Sequence, residues 1–300
     1  MPGKLLIGSW QIIETISSRK KFQLFNEYAY WGSPVSNENN RESWNQLSDF
    51  YQNTTIISLN DIHYGPYSPG EKDLQIIGSI KGLDVLEMGC GGGQNSIVCA
   101  KWGAKSVTGI DQSENQIEYA IKLAQSQNVK IDFIQGNMED LSVFNDNSFD
   151  LIISSHALAY VEDINKVFNE SARLIREKGR IVICLGHPLM RLAWQAIEEK
   201  SIEKIQNYFD ENRDLWDWLD HDGESIATFG QTYPRFEQII NGLISVGFII
   251  EQIVEPRGYT LDEVRRLSDK IPYQNYSIDT KFIEIHQIIP FSLIVSAIKN

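Results

Sequence analysis

Basic residues are scarce in this chain, cysteines are few, and long apolar runs are missing. Only 27 Lys and Arg face 40 Asp and Glu, a formal net charge of −13 over 300 residues. A protein that holds nucleic acid neutralises phosphates with Lys and Arg, so no nucleic-acid partner is expected. The one basic cluster, Ser17–Lys21, reads as a solvated helix end. The cysteines Cys90, Cys99 and Cys184 are odd in number and lie inside apolar segments. With no CxxC or Cys/His spacing, they read as buried free thiols in a reducing compartment, and no metal is expected. No apolar stretch reaches about 18 residues, so neither a transmembrane helix nor a membrane partner is expected. The segment Met1–Ile16 carries no cleavage-type sequence. The expectation is a soluble, cytoplasmic protein. What is present, 42% hydrophobic residues with 11% aromatic, is enough for a full core and excludes global disorder.

The organisation changes along the chain. Residues 1–80 mix short apolar clusters with many aromatics around a polar loop, Ser33–Ser43, and are expected to form a helical N-terminal cap. From Leu83 short continuous apolar runs recur at Leu83–Met88, Ser106–Ile110, Ile131–Ile134, Phe149–Ser154 and Arg180–Leu185. Continuous rather than alternating runs are what strands buried on both faces need. Helical segments separate them. One opens with a capping box at Ser113 and Gln116 and puts Ile117, Ala120, Ile121 and Ala124 on one face. Another spans Asp163–Glu177 and ends at Gly179. Alternating strand and helix predicts an α/β fold, with a Rossmann-like, doubly wound, mostly parallel sheet over 81–187. Residues 188–233 are expected to be a helical insertion. Residues 234–300 complete the sheet with Phe248–Val254 and the run Ile288–Ile298, around an excursion at 255–287.

The chemistry concentrates where the first strand runs into Glu87-Met88-Gly89-Cys90-Gly91-Gly92-Gly93. A glycine-rich turn between strand and helix lets a ligand touch the backbone, because no Cβ intervenes. A nicotinamide dinucleotide site needs G-x-G-x-x-G with its pyrophosphate on the helix N-terminus. Counting from Gly89 and Gly91, the third glycine should be residue 94, which is Gln94. Glu87 would also face a pyrophosphate unfavourably. A nucleoside with a positive tail and no phosphate suits both positions. Asp111, at the tip of the second strand, can accept both hydroxyls of a ribose.

The segments E-x-G-x-G-x-G, "TGIDQS", "IQGNMED" and "FDLIISSHALAYVED" together resemble a class I S-adenosylmethionine-dependent methyltransferase, and "DIHYGPYSPGEKDL" upstream of the glycine loop with "GHPL" after the fifth strand resemble its small-molecule branch, which includes natural-product tailoring enzymes. The resemblance covers residues 60–190 and a last strand that fits the family's antiparallel edge. It implies S-adenosyl-L-methionine as cofactor and S-adenosyl-L-homocysteine as product. It also implies that Glu87, Gly89, Cys90, Gly91 and Gly93 hold the methionine end, that Asp111 takes the ribose, and that Gln112 lies beside the adenine. Asn137 and Met138 fall at the adenine edge, with Asn where many relatives have Asp. Ser155 and His156 fall where the family brings the methyl group to its acceptor. The Asn-Pro-Pro-Tyr or Asp-Pro-Pro-Tyr signature of base-methylating enzymes does not occur, since this strand ends Ser154-Ser155-His156-Ala157.

Methyl transfer is an in-line displacement in which the protein mainly aligns, desolvates and, where the acceptor needs one, supplies a base. His63, His156 and His187 are the candidate catalytic residues, all in segments expected at the cofactor end of the sheet. Tyr28, Tyr64, Trp216 and Trp218 are candidate lining residues for a small-molecule acceptor, methylated on nitrogen or oxygen. Between residues 198 and 224, ten acidic residues stand against three basic ones. That excess reads as a solvated face or as a lid that attracts a cationic amine. Two other readings stay open, a nicotinamide-dependent oxidoreductase and a non-catalytic nucleoside-cofactor-binding protein. The oligomeric state is open too, a homodimer being one candidate.

Overall fold

The structure, a computed structural model, describes residues 37–267 and 270–300. Tyr28 and the N-terminal part of the expected cap lie outside them. The described chain begins with α1 (Asn37–Thr54), β1 (Thr55–Ile57) and the short α2 (Glu71–Leu74). Strand and helix then alternate through β2 (Asp84–Met88), α3 (Gln94–Lys101), β3 (Ser106–Asp111), α4 (Glu114–Ser126), β4 (Asp132–Gln135), β5 (Phe149–Ser155), α5 (Ile164–Leu174) and β6 (Ile175–Gly186). Next come α6 (Pro188–Glu199), β7 (Asp214–Leu219), β8 (Ser225–Gln231), α7 (Phe236–Ser245) and β9 (Phe248–Val254). The chain closes with α8 (Leu261–Leu267), β10 (Tyr273–Asn275), α9 (Thr280–Ile285) and β11 (Ser292–Lys299).

The apolar runs become the central sheet, in the order β4-β3-β2-β5-β6-β11-β9. From β4 to β6 the strands pair in parallel. Of these, β2, β3, β5 and β6 are apolar on both faces because each face meets its own core. Leu86, Met88, Ile152, Ile181 and Ile183 pack toward α5 and α7 with Phe168 and Leu243. Val85, Leu151, Ile153, Val182 and Cys184 pack the other way with Val98 and Cys99 of α3. The three cysteines are buried and free. The strand β11 runs antiparallel to both β6 and β9. It is therefore not the sheet's edge, as the sequence suggested; β9 takes the edge and β11 is covered on both sides.

Helix α4 keeps its expected cap, the Ser113 hydroxyl accepting from the Gln116 amide at 3.2 Å. Ile117, Ala120 and Ala124 are buried, while Ile121 sits at the margin of that face, 39% exposed. Helix α5 is shorter than predicted. It stops at Leu174 because Ile175 already pairs with Phe149, and the extra residues up to Arg180, which pairs with Leu151, form a bulge. A Cβ at Gly179 would lie 2.9 Å from the carbonyl oxygens of Arg176 and Asp150, so glycine marks that bulge and not a helix end.

The insertion at 188–233 is helical only in its first third. The strands β7 and β8 form an antiparallel hairpin, with Trp216 opposite Phe229 and Trp218 opposite Ala227. Asp217 between the two tryptophans is exposed, a period of two that belongs to a strand. The turn is closed by Asp220, whose Oδ1 accepts from the amides of Asp222 and Glu224, and by Gly223 at φ +87°. Helix α1 lies over this hairpin. The buried Asn40 side chain donates to the Gly230 carbonyl and accepts from the Gly230 amide, both at 2.9 Å, and Ser43 donates to the Thr228 carbonyl. The rest of the described N-terminal part is loop apart from the one-turn α2 and β1, which pairs with β10 from the later excursion. No described helix is long and apolar enough to cross a membrane.

Candidate active site

Between β2 and β5 the sheet order reverses, and ligands of such sheets bind beyond the carboxyl ends of the strands at that point. A single cavity opens there, about 1710 Å³ including the solvent at its mouth. One end is walled by the loop after β2 and the tips of β3 and β4. The other is walled by aromatic rings from α1, the hairpin and β10.

At the first end, Gly89 must be glycine, because a Cβ there would meet the Ala157 Cβ at 2.2 Å. Gly91 differs. It has φ +50°, and a Cβ would find nothing nearer than Gln116 Oε1 at 4.0 Å, so its bare backbone faces open space. The Glu87 carboxyl is buried and accepts from the Ser96 hydroxyl at 2.5 Å. Burial lifts its pKa to about 7, opposed by the hydrogen bonds from Ser96 and Asn95 and aided by nearby Asp111. Asp111 accepts from the Gly91 amide at 2.8 Å and the Ser113 amide at 2.9 Å, tying the glycine loop to the cap of α4. Burial raises its pKa above the ordinary carboxylate value, against the pull of those backbone N–H groups. Cys90, Gln112, Asn137 and Met138 complete this wall. One lone pair of Asn137 Oδ1 is used by the Glu139 amide, at 2.9 Å.

The tip of β5 stands between the two ends. Ser155 lines the cavity and donates to the His63 carbonyl at 3.2 Å. His156 follows at φ +55°, a left-handed conformation rare for a residue with a side chain. Its amide donates to the Cys184 carbonyl and its ring stacks on Phe291, with centroids 5.1 Å apart. Nε2 lies 3.1 Å from the Ser292 hydroxyl, which itself donates to the Tyr64 carbonyl at 2.7 Å. Ser292 therefore accepts from His156 Nε2–H, which leaves Nδ1 as the lone-pair nitrogen, a tautomer assigned from the network. Burial lowers the pKa of His156 to about 4. His63 also lines the cavity, with its pKa lowered to about 3 by burial and by the proximity of His156, and its Nδ1 is buried with no hydrogen-bond partner.

Two sequence candidates move out of the site. His187 is the N-cap of α6: its Nδ1 accepts from the Leu189 amide at 3.1 Å and its Nε2 meets Glu255 at 2.6 Å. It is buried and does not line the cavity, so both ring nitrogens serve the fold. Tyr64 is buried in the core under the sheet, its hydroxyl donating to Glu71 at 2.6 Å, and does not line the cavity. Trp216 and Trp218 do line the cavity. The acidic residues of the insertion do not. Asp210 and Asp214 pair with Arg191, Glu211 pairs with Arg235, and Glu198 pairs with Lys281.

A family model described as "Methyltransferase domain" matches residues 86–183. The chain is also 32% identical over 191 residues to YbaJ, an uncharacterized methyltransferase of Bacillus subtilis, covering 61% of this chain and 73% of that one. This chain belongs to the class I S-adenosylmethionine-dependent methyltransferases. It is 31% identical over 171 residues to a demethylmenaquinone methyltransferase of Lactococcus lactis, covering 55% of this chain and 65% of that one. In fold it resembles an S-adenosylmethionine-dependent methyltransferase from Mesorhizobium loti, with TM-score 0.57, 24% identity, and 75% of this chain and 95% of that one covered. S-adenosylmethionine is the cofactor of this methyltransferase, and the cavity fits it. A buried carboxyl that, among the described residues, is hydrogen-bonded to Ser96 and to no cation, an open glycine backbone and a strand-tip carboxylate match a nucleoside with an ammonium tail and no phosphate.

Sequence reasoning missed much of the wall. Trp44, Tyr51, Tyr160 and Tyr273 line the cavity, as do Gln94 and Gln116. The two glutamines are joined through Gln52, Gln94 donating to it at 2.7 Å and Gln52 donating to Gln116 at 2.8 Å. No local pattern signals an amide chain drawn from three helices.

Proposed function

We propose that this methyltransferase transfers a methyl group to a nitrogen or oxygen of a small molecule, a secondary metabolite being one such acceptor, held in the aromatic half of the cavity. The observation that carries the reading is the continuity of one cavity from Asp111 past Ser155 and His156 to Trp44, Trp216 and Trp218. When bound, the cofactor supplies an activated methyl group on a sulfonium. In this reading Glu87 takes the ammonium and the backbone of Gly89–Gly93 with Cys90 takes the methionine end. Asp111 accepts from the ribose hydroxyls, and Gln112, Asn137 and Met138 surround the adenine. Ser155 and the Nδ1 lone pair of His156 orient the acceptor group, and His63 lies beside them. Helix α1 and the β7–β8 hairpin form a roof that excludes water during transfer, which strengthens every polar contact beneath it. A small acceptor is supported by this roof and by the Lactococcus lactis relative, which is named for demethylmenaquinone.

The experiment is incubation with methyl-labelled S-adenosylmethionine and a small-molecule extract, followed by mass spectrometry of all fractions. The expected result is label in a low-mass acceptor with matching release of S-adenosylhomocysteine. Label confined to protein or nucleic acid, or no release, would sink the reading.

A further inference from the structure

A cofactor with an amino-acid tail brings a carboxylate as well as an ammonium, yet among the described residues no Lys or Arg lines the cavity. The two charged groups of such a tail share one carbon, so the carboxylate must lie beside Glu87. Glu87 is bonded to Ser96 in the first turn of α3, and Gln94 opens that turn. In the loop before it, the amides of Gly89 and Cys90 donate to the Ile110 carbonyl, that of Gly91 to Asp111 and that of Gly93 to the Cys90 carbonyl. The Gly92 amide has no acceptor among the described residues. A Cβ on Gly92 would strike the carboxamide of Gln52, which α1 lays over this bare backbone. Gln52, Gln94 and Gln116 are only 8%, 7% and 2% exposed. Gln94 donates to Gln52 at 2.7 Å and Gln52 to Gln116 at 2.8 Å, which leaves Gln116 Nε2 with no acceptor among the described residues. Turning all three amides around would move the unspent amino group to Gln94, and both residues line the cavity. A buried N–H without an acceptor costs free energy that a bound anion offsets. Gln52 is fixed from its own helix. Asn45, two turns earlier on the same face, accepts from the Ser113 hydroxyl at 2.7 Å and, through its carbonyl, from the Asn115 side chain at 3.0 Å.

We propose that Gln52 is a positioning residue for the cofactor, holding the Gln94 and Gln116 carboxamides so that they and the Gly92 amide receive the carboxylate of the methionine tail. The inference rests on the methyltransferase reading above and assigns a part of the site that the glycine motif does not supply. Neutral donors suit the place. A Lys or Arg there would pair with Glu87 and compete with the ligand's ammonium, whereas carboxamides bond a carboxylate and leave Glu87 free. The N-terminus of α3 adds partial positive charge at the same spot. Helix α1 also carries Trp44 and Tyr51, so the helix that positions the tail is the one that walls the acceptor end.

The test titrates the full chain, by calorimetry, with S-adenosylhomocysteine and with decarboxylated S-adenosylhomocysteine, which keeps the nucleoside, the sulfur and the ammonium. The decarboxylated ligand is expected to bind at least about tenfold more weakly. Gln52→Leu should weaken S-adenosylhomocysteine at least about fivefold while changing the decarboxylated ligand less than about twofold, so that the preference for the carboxylate narrows. Gln52→Glu, the closest in shape, sets a second carboxylate against the tail and should narrow the preference at least as far. It carries the same expectation should Gln52→Leu fail to fold. Equal affinity of the two ligands for the unaltered protein overturns the assignment. So does an equal loss of both ligands in the Gln52 variants, the mark of a merely structural residue. Failure of both ligands to bind the unaltered protein would instead remove the cofactor reading, and this inference with it.

Discussion

Glu87 makes cofactor binding depend on pH in a direction that can be worked out. Its carboxyl is buried beside the Ser96 hydroxyl, and its pKa stands at about 7 against an ordinary value of 4.5. In the free protein it is half protonated at neutral pH. A bound ammonium favours the carboxylate and pulls the pKa back toward its ordinary value. Binding then releases close to one proton at pH 6 and about half a proton at pH 7, by proton linkage. The affinity for S-adenosylhomocysteine should tighten by roughly fiftyfold between pH 5 and 7.5 from this group alone. The free protein moves oppositely. A carboxyl with a raised folded pKa contributes stability that is full below about 4.5 and is lost as pH rises through about 7, on the order of 3 kcal/mol for a fully buried group. Thermal stabilisation by the ligand should therefore be larger at pH 8 than at pH 5.5. Titration calorimetry in buffers of differing ionisation enthalpy counts the protons directly. Glu87→Gln should abolish both the proton release and the slope. Proton uptake, or an unchanged slope in Glu87→Gln, would refute the pairing of Glu87 with the ammonium.

Three further substitutions separate binding from folding. Asp111→Ala should weaken S-adenosylhomocysteine at least about tenfold, since each charge-assisted hydrogen bond is worth about 1.5–3 kcal/mol. It should also lower the urea midpoint, because the Gly91 and Ser113 amides lose their acceptor; an unchanged dissociation constant would take Asp111 out of the site. Gly91→Val should leave a folded protein by circular dichroism that no longer binds S-adenosylhomocysteine, because the space around it is open in the fold but needed by the ligand. Retained binding would make that loop purely structural. His187→Ala should cost about 1 kcal/mol in a denaturation curve, the usual loss of a helix cap, with kcat changed by less than about twofold. A large fall in kcat without a stability change would return His187 to the chemistry.

The parallel core was legible in the sequence because strands buried on both faces need unbroken apolar runs, and Leu83–Met88 and Arg180–Leu185 supply them. The cofactor wall was legible for a related reason. A bare backbone at Gly91 and a carboxylate at the tip of β3 are local requirements written in consecutive residues. The acceptor wall is not local. Trp44 reaches the cavity only because Asn40 and Ser43 dock α1 onto β8, a contact nearly two hundred positions away in sequence. His187 misled because strand-tip position says nothing about which way a side chain turns, and Pro188 behind it begins a helix that needed a cap. Tyr64 likewise turned inward to a buried Glu71. The hairpin was overlooked although Trp216, Asp217 and Trp218 alternate, since the acidic neighbours dominated the reading of that segment. Of those acids, Asp210, Asp214 and Glu211 pair with Arg191 and Arg235, and none of the ten lines the cavity.

The central claim is that one cavity holds the nucleoside at Asp111 and presents its sulfur to the aromatic wall that includes Trp44, Trp216 and Trp218. A crystal structure of the complex with S-adenosylhomocysteine tests it most directly. The account predicts the ribose hydroxyls on the Asp111 carboxylate, the ammonium at Glu87, and the sulfur facing Ser155 and His156 with Trp44 and Trp218 beyond it. A nucleoside bound away from Gly89–Gly93, or a sulfur turned from the rings, would contradict it.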